Sequence, residues 1–283
     1  MEEALLYFIA LIFMVFATFQ DLKKREVANW LNYSLLTIGL IGKCFLAIGN
    51  KDWSGLLYSL IGMAVFYGLA LTFYYSRVFA GGDAKLLIGI GAILPYHSLF
   101  DLLVFGVGFI FLLFIVGAGY TLIYSGFLLF HGRKRFFKEF YRQLKNNRVI
   151  LLIVWIISLV MLLFYQKLFG ILLFFIPLIF LYLKSIEESC LVVLMKHNEI
   201  TEGEWLLNDI KIGGKVIRSS VHGLSASEIG LIRRKRRKVW IKQGIPFVPA
   251  FLASWIIMGF VFLSVGTESQ RLVSLLLEFF GVS

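Results

Sequence analysis

The sequence predicts an all-α polytopic membrane protein of about eight transmembrane helices, carrying a small α+β cytoplasmic module. Three observations predict it. Of 283 residues, 59% are hydrophobic and 16% charged, with a mean hydropathy of +0.85; one water-facing core cannot hide that much apolar surface. Apolar runs of a dozen residues or more recur in every quarter of the chain, and no period-2 alternation supports a barrel. The 28 Lys and Arg outnumber the 17 Asp and Glu, a net charge of +11, and gather between those runs. Nucleic-acid-binding chains are also basic but lack such runs, so no nucleic-acid partner is expected.

Spans are expected at 4–21, 30–49, 55–76, 84–96, 99–130, 149–166, 168–184 and 247–266, each judged against the roughly 20 apolar residues that cross a bilayer core. Glu2 and Glu3 precede the first run, and Lys23-Lys24-Arg25 follow it. That order predicts a retained span with its N-terminus outside, not a cleaved signal peptide. The fourth span is short, and the fifth is long enough to need tilt or an interfacial start. The pair at 149–184 reads as two spans or a re-entrant hairpin, and the parity is the same either way. With an outside start, Arg77, Lys85, the segment 133–148 and the stretch 184–242 fall on the cytoplasmic side. Lys43, Lys51, Lys167 and Arg271 fall outside.

Between these runs, 131–148 reads as a basic interfacial segment, with Phe136, Phe137, Phe140 and Tyr141 among its charges. The stretch 185–246 is the polar module. Its residues 210–217 alternate about Gly213-Gly214, a hairpin signal, and Ser225-Ala226-Ser227-Glu228 is a capping box opening a helix expected to run through Arg233–Lys238. That basic run lies just before a span, where anionic headgroups attract it, so membrane lipid is the expected partner. The division predicted is a membrane core at 1–130, the interfacial segment at 131–148, a helix pair at 149–184, the module at 185–246, and a final helix and tail at 247–283.

Two residues carry the chemistry this sequence offers. Asp21 ends the first run and Asp83 opens the fourth, after Gly81-Gly82. Each alone reads as an ordinary helix-end residue. Together they lie at one depth, on the cytoplasmic edge, where ionisable groups are costly, and the glycines let a neighbouring helix or an extended substrate come close. Two adjacent carboxylates share a proton; one can then deprotonate water while the other polarises a peptide carbonyl. No cofactor or metal is expected. His97, His131, His197 and His222 lack ligand spacing, Cys44 and Cys190 are far apart, and no phosphate-cradling loop or dinucleotide fingerprint occurs.

Gln20-Asp21-Leu22-Lys23 and the later Ala80-Gly81-Gly82-Asp83-Ala84-Lys85-Leu86-Leu87 resemble the motifs of the type IV prepilin peptidases, the GxGD aspartic proteases that act as class III signal peptidases, and above all their archaeal preflagellin (prearchaellin) branch. The resemblance is clearest over 1–130, with an echo from Gly223 to Ala250. It implies Asp21 and Asp83 as the catalytic pair, Gly81 and Gly82 as supporting motif, and Lys85 as the motif lysine, binding substrate charge or anchoring its helix. It also implies a plasma-membrane aspartic endopeptidase that removes leaders from pilin-like or archaellin precursors at the cytoplasmic face. Ala80 departs from the first motif glycine, the 149–184 pair looks like an addition, and the four-cysteine module of many bacterial members is absent. Two rivals remain. A presenilin-like intramembrane protease would set both aspartates within spans. A proton- or cation-coupled transporter using Asp21 and Asp83 would more often show mid-membrane carboxylates and repeat symmetry.

Overall fold

A computed structural model describes residues 2–164 and 167–265; Tyr165 and Gln166 of the sixth expected span, and the tail 266–283 with Arg271, lie outside the described residues. The chain forms two compact units, 1–121 with 244–283 and 122–243.

The first unit begins with α1 (Glu2–Lys24), α2 (Asn29–Asn50), α3 (Ser54–Tyr75) and α4 (Gly81–Ile93). Leu94 is extended before Pro95, which stops α4. A short α5 (Leu99–Asp101), capped by the Ser98 hydroxyl, runs through a π-helical stretch (Leu102–Val107) into the 39-residue α6 (Gly108–Asn146), of which residues 108–121 belong to this unit and 122–146 to the second. The unit closes with α10 (Val248–Val265). On α1 the residues Tyr7, Ala10, Met14, Ala17 and Asp21, three and four apart, are all buried. Leu5, Phe8, Ile12, Phe16 and Phe19 form an exposed apolar stripe on the same helix, as a lipid-facing surface requires.

Small residues bring these helices together, as they do where lipid removes the hydrophobic drive for helix association. A Cβ on Gly91 would stand 2.5 Å from Phe66 Cβ, and one on Gly62 would stand 2.8 Å from the Gly91 carbonyl, so α3 and α4 approach backbone to backbone. Tyr7 stacks on Trp255 with centroids 4.3 Å apart, joining α1 to α10, and its hydroxyl donates to the Trp255 carbonyl. At the end of α1 away from Asp21, Glu3 accepts from Lys43 Nζ at 2.6 Å and pairs with His97 Nε2 at 3.2 Å. Lys43, on α2, is 2% exposed.

In the second unit α7 (Arg148–Phe164) and α8 (Lys167–Cys190) follow the end of α6. The basic segment at 131–148 lies on the last part of α6, which is continuous to Asn146, and the chain bends by 72° between Gly132–Asn146 and Arg148–Leu163. Strands β1 (Val192–Met195), β5 (Val239–Lys242) and β2 (Trp205–Leu206) form an antiparallel sheet in that order. The predicted hairpin is β3 (Ile210–Ile212) with β4 (Lys215–Ile217), Ile212 opposite Lys215, and Gly213 and Gly214 both take positive φ. Glu228 accepts the Ser225 N–H at the start of α9 (Ala226–Arg234). That helix stops short of Lys238, because Val239–Lys242 is needed as the central strand between β1 and β2.

The class expected from the sequence is the one adopted: an all-α multi-pass membrane protein with a small strand-bearing module. The count of eight is not confirmed. Among the described residues five helices are long and apolar enough to cross a membrane, six if the bent pair Gly132–Asn146 and Arg148–Leu163 counts as one span. At 13 residues, α4 is about 20 Å long, short of a ~30 Å core.

Candidate active site

Asp21 lies in the last turn of α1, on its inward stripe, and Asp83 in the first turn of α4. They are 5% and 8% exposed, and near enough for the charge on one to act on the other. The two carboxyls, 62 positions apart in the sequence (83 − 21), are thus both buried and within electrostatic reach of each other.

Each carboxyl faces the N-terminus of a helix. Asp83 Oδ2 accepts the Ala80 N–H at 3.2 Å, one half of a capping box; Ala80 has no side-chain oxygen to return the bond. Asp21 Oδ2 accepts the Val248 N–H at 3.0 Å, so Asp21 caps α10 from another helix. Pro249, next in line, has no N–H to satisfy. Unsatisfied N–H groups and the positive helix end suit a carboxylate. Phe79, 2% exposed, closes the apolar side against Phe247 and Phe251 at 5.5 and 5.6 Å between centroids.

The loop from α1 to α2 is tied down by Gln20 Oε1, which accepts the Ala28 N–H at 3.0 Å. Lys85 reaches the first residue of α2, donating to Asn29 Oδ1 at 2.6 Å, with its ammonium 5.9 Å from the Tyr33 ring centre. Of the two roles left open for this lysine, the geometry displays the anchor. A Cβ on Gly81 would make an ordinary contact with Tyr74 at 3.8 Å, and one on Gly82 would meet Val27 at 3.4 Å. Neither has positive φ.

Sequence reasoning missed the backbone donor of Val248, although the echo through Gly244–Ala250 pointed to that segment. It also missed Asn32, one turn beyond Asn29, buried with no hydrogen-bond partner for its amide oxygen or nitrogen among the described residues. Asp101, read as a loop or helix-end residue, is buried and accepts the His97 N–H at 3.0 Å. Among the described residues no group of three His, Cys, Asp or Glu side chains could hold a metal ion.

The fold and the site define a multi-pass membrane protein with a buried pair of carboxyls joined from two helices. Residues 8–122 match the model of the type IV leader peptidase family, which bears out over that stretch the likeness carried by the two aspartate motifs. A preflagellin peptidase of Methanocaldococcus jannaschii is 29% identical over 93 residues, 33% of this chain and 39% of that protein. A preflagellin peptidase of Methanococcus maripaludis is 30% identical over 89 residues, 31% of this chain and 38% of that protein. Prepilin peptidase EppA of Methanothermobacter thermautotrophicus is 24% identical over 169 residues, covering 55% and 44%. The chain thus spans about two fifths of the length of these curated relatives.

Proposed function

We propose that this protein is a membrane aspartic endopeptidase that removes leader peptides from type IV pilin-like or archaellin precursors, cutting at the cytoplasmic membrane face. The observation that carries the reading is that Asp21 and Asp83, both buried and each bonded to a helix N-terminus, lie within electrostatic reach of each other. The family match over 8–122 and the names of the relatives support it.

In this mechanism the pair holds one proton. The ionised carboxylate takes a proton from water, whose oxygen bonds to the scissile carbonyl carbon; the protonated carboxyl donates to the carbonyl oxygen. Collapse of the tetrahedral intermediate breaks the C–N bond, and the proton taken from water passes to the leaving amine. Gln20 and the Asn29–Lys85 bond hold the two aspartate-bearing helices and the α1–α2 loop in register. The backbone at Gly81, which carries no side chain and is crowded by nothing nearer than Tyr74, is where an extended leader would approach.

Single-turnover cleavage of a pilin-like and an archaellin-like precursor by the purified chain in vesicles tests the reading, with chelator throughout. Release of the leader at the edge of its apolar stretch is the expected result. Cleavage lost to chelator and restored by metal would reject the two-carboxylate mechanism; no cleavage of either precursor would reject the substrate class.

A further inference from the structure

Within the second unit, a cleft of about 860 Å³ is lined by Leu128, Phe130 and Gly132 to Arg135 of α6, Ser189 and Cys190 at the end of α8, and Val192–Leu194 and Trp240 of the sheet. Its position follows from the sequence. The apolar stretch Leu99–Phe130 ends where the cleft begins, and the span Lys167–Cys190 ends on its other wall. The apolar run of α8 has already given way to polar residues from Lys184 on, so both helices have left their apolar stretches at this wall, as at the level of lipid headgroups. Gly132 allows it: an added Cβ would stand 2.7 Å from Cys190 Sγ, so the two helices touch here.

The lining has two chemistries. Arg133, Lys134 and Arg135 are exposed and carry three positive charges, and no lining residue is acidic. Phe130, 84% exposed, and the cross-strand pair Leu194 and Trp240, 43% and 51% exposed, give an apolar and aromatic wall beside them. A soluble anion uses the charges and leaves that wall wet. A basic leader peptide is repelled. A molecule with an anionic head and apolar chains satisfies both, and Trp is favoured where an apolar and a wet region meet.

We propose that this cleft binds the headgroup of an anionic phospholipid, its phosphate held by Arg133, Lys134 and Arg135 and its chains lying along Phe130, Leu194 and Trp240. The site is independent of Asp21 and Asp83. It makes the second unit, which lies almost wholly beyond the family match at 8–122, a lipid-reading module.

The test uses the full chain in nanodiscs of phosphatidylcholine, with brominated phosphatidylglycerol or brominated phosphatidylcholine as quencher. Subtracting the signal of Trp240→Phe isolates Trp240 from the other tryptophans. Brominated phosphatidylglycerol is expected to quench Trp240 at about tenfold lower mole fraction than brominated phosphatidylcholine. The triple variant R133Q/K134Q/R135Q abolishes that preference, and Arg135→Gln alone lowers it about threefold. The equal-charge control K211Q/K215Q/R218Q, on exposed residues of the same unit outside the cleft, keeps it. Equal quenching by the two lipids in the unaltered protein overturns the proposal, whatever the variants do. Equal loss in the control triple overturns it too, since that outcome means general surface attraction.

Discussion

Asp21 on α1 closes a hydrogen bond of 3.0 Å to the N–H of Val248, 227 residues along the chain, at the first turn of α10. A proposed catalytic carboxyl is thereby also a helix cap, and its two roles separate on substitution. Asp21→Asn and Asp83→Asn should each lower leader removal by about a thousandfold or more, because paired groups acting as a unit fail together. Asp21→Ala should in addition lower stability by about 1 kcal/mol through the lost cap. Single-turnover cleavage and thermal unfolding in detergent read the two effects. Glu188→Gln, in the second unit, should keep most activity. Substantial cleavage by a folded Asp83→Asn protein would sink the assignment.

The glycines of the motif and those of the core should part company. Gly81→Ala meets nothing nearer than 3.8 Å, so the protein should fold and melt within a few degrees of the parent. Its cleavage rate should nevertheless fall, since the methyl group fills the path proposed for the substrate. Gly91→Ala drives a methyl into Phe66 and should destabilise by about 1–3 kcal/mol. A Gly81→Ala enzyme with full activity would remove that glycine from substrate approach.

Lys85 and Asn29 should behave as one unit. Lys85→Met and Asn29→Ala each lose the same bond between α4 and α2, so their effects on cleavage should be similar and the double variant little worse than either. A coupling of about 1 kcal/mol is expected in the cycle. Additive losses would mean that Lys85 acts on the substrate independently of Asn29.

Asn32 is a buried amide without a partner among the described residues, and burial of an unsatisfied polar group costs about 1–3 kcal/mol. Asn32→Leu, of similar volume, should raise the unfolding temperature. A lower one would show that the amide is satisfied in the working protein.

The Glu3–Lys43–His97 cluster should make stability depend on pH. The hydrogen bond to Glu3 raises the His97 value above its ordinary range; burial and the Lys43 charge oppose the rise, and Asp101 adds to it. Asp52 also lies within reach of the His97 charge. A group raised on folding stabilises fully below its unfolded value and loses that contribution as pH climbs through the folded one. Thermal stability should therefore decline from about pH 6.5 upward, and His97→Gln should flatten that decline. An unchanged slope in the variant would assign the pH dependence to other groups.

Much of this protein is legible in its residues alone because hydropathy and charge order are local. Apolar runs must become helices in lipid, so the class, the spans from α1 to α3 and the hairpin about Gly213-Gly214 follow from composition and spacing. Asp21 and Asp83 are legible as candidates since carboxyls are rare beside apolar runs, and the motifs around them are short and contiguous. Burial on α1 is encoded too, in the spacing of Tyr7, Ala10, Met14, Ala17 and Asp21, a pattern that hydropathy masks where the outward residues are apolar as well.

What folding in three dimensions decides is which distant groups meet. Backbone N–H groups leave no mark in a residue code, so Val248 cannot be read as a partner of Asp21, nor can Asn29 be assigned to Lys85. The stop of α9 at Arg234 is equally hidden, since the helix signal there is strong and only the demand for β5 between β1 and β2 overrides it. Local chemistry tells this chain where to span a membrane and where to keep two carboxyls; packing between helices distant in sequence, as of Gly62 on Gly91 and of Tyr7 on Trp255, decides which groups come together.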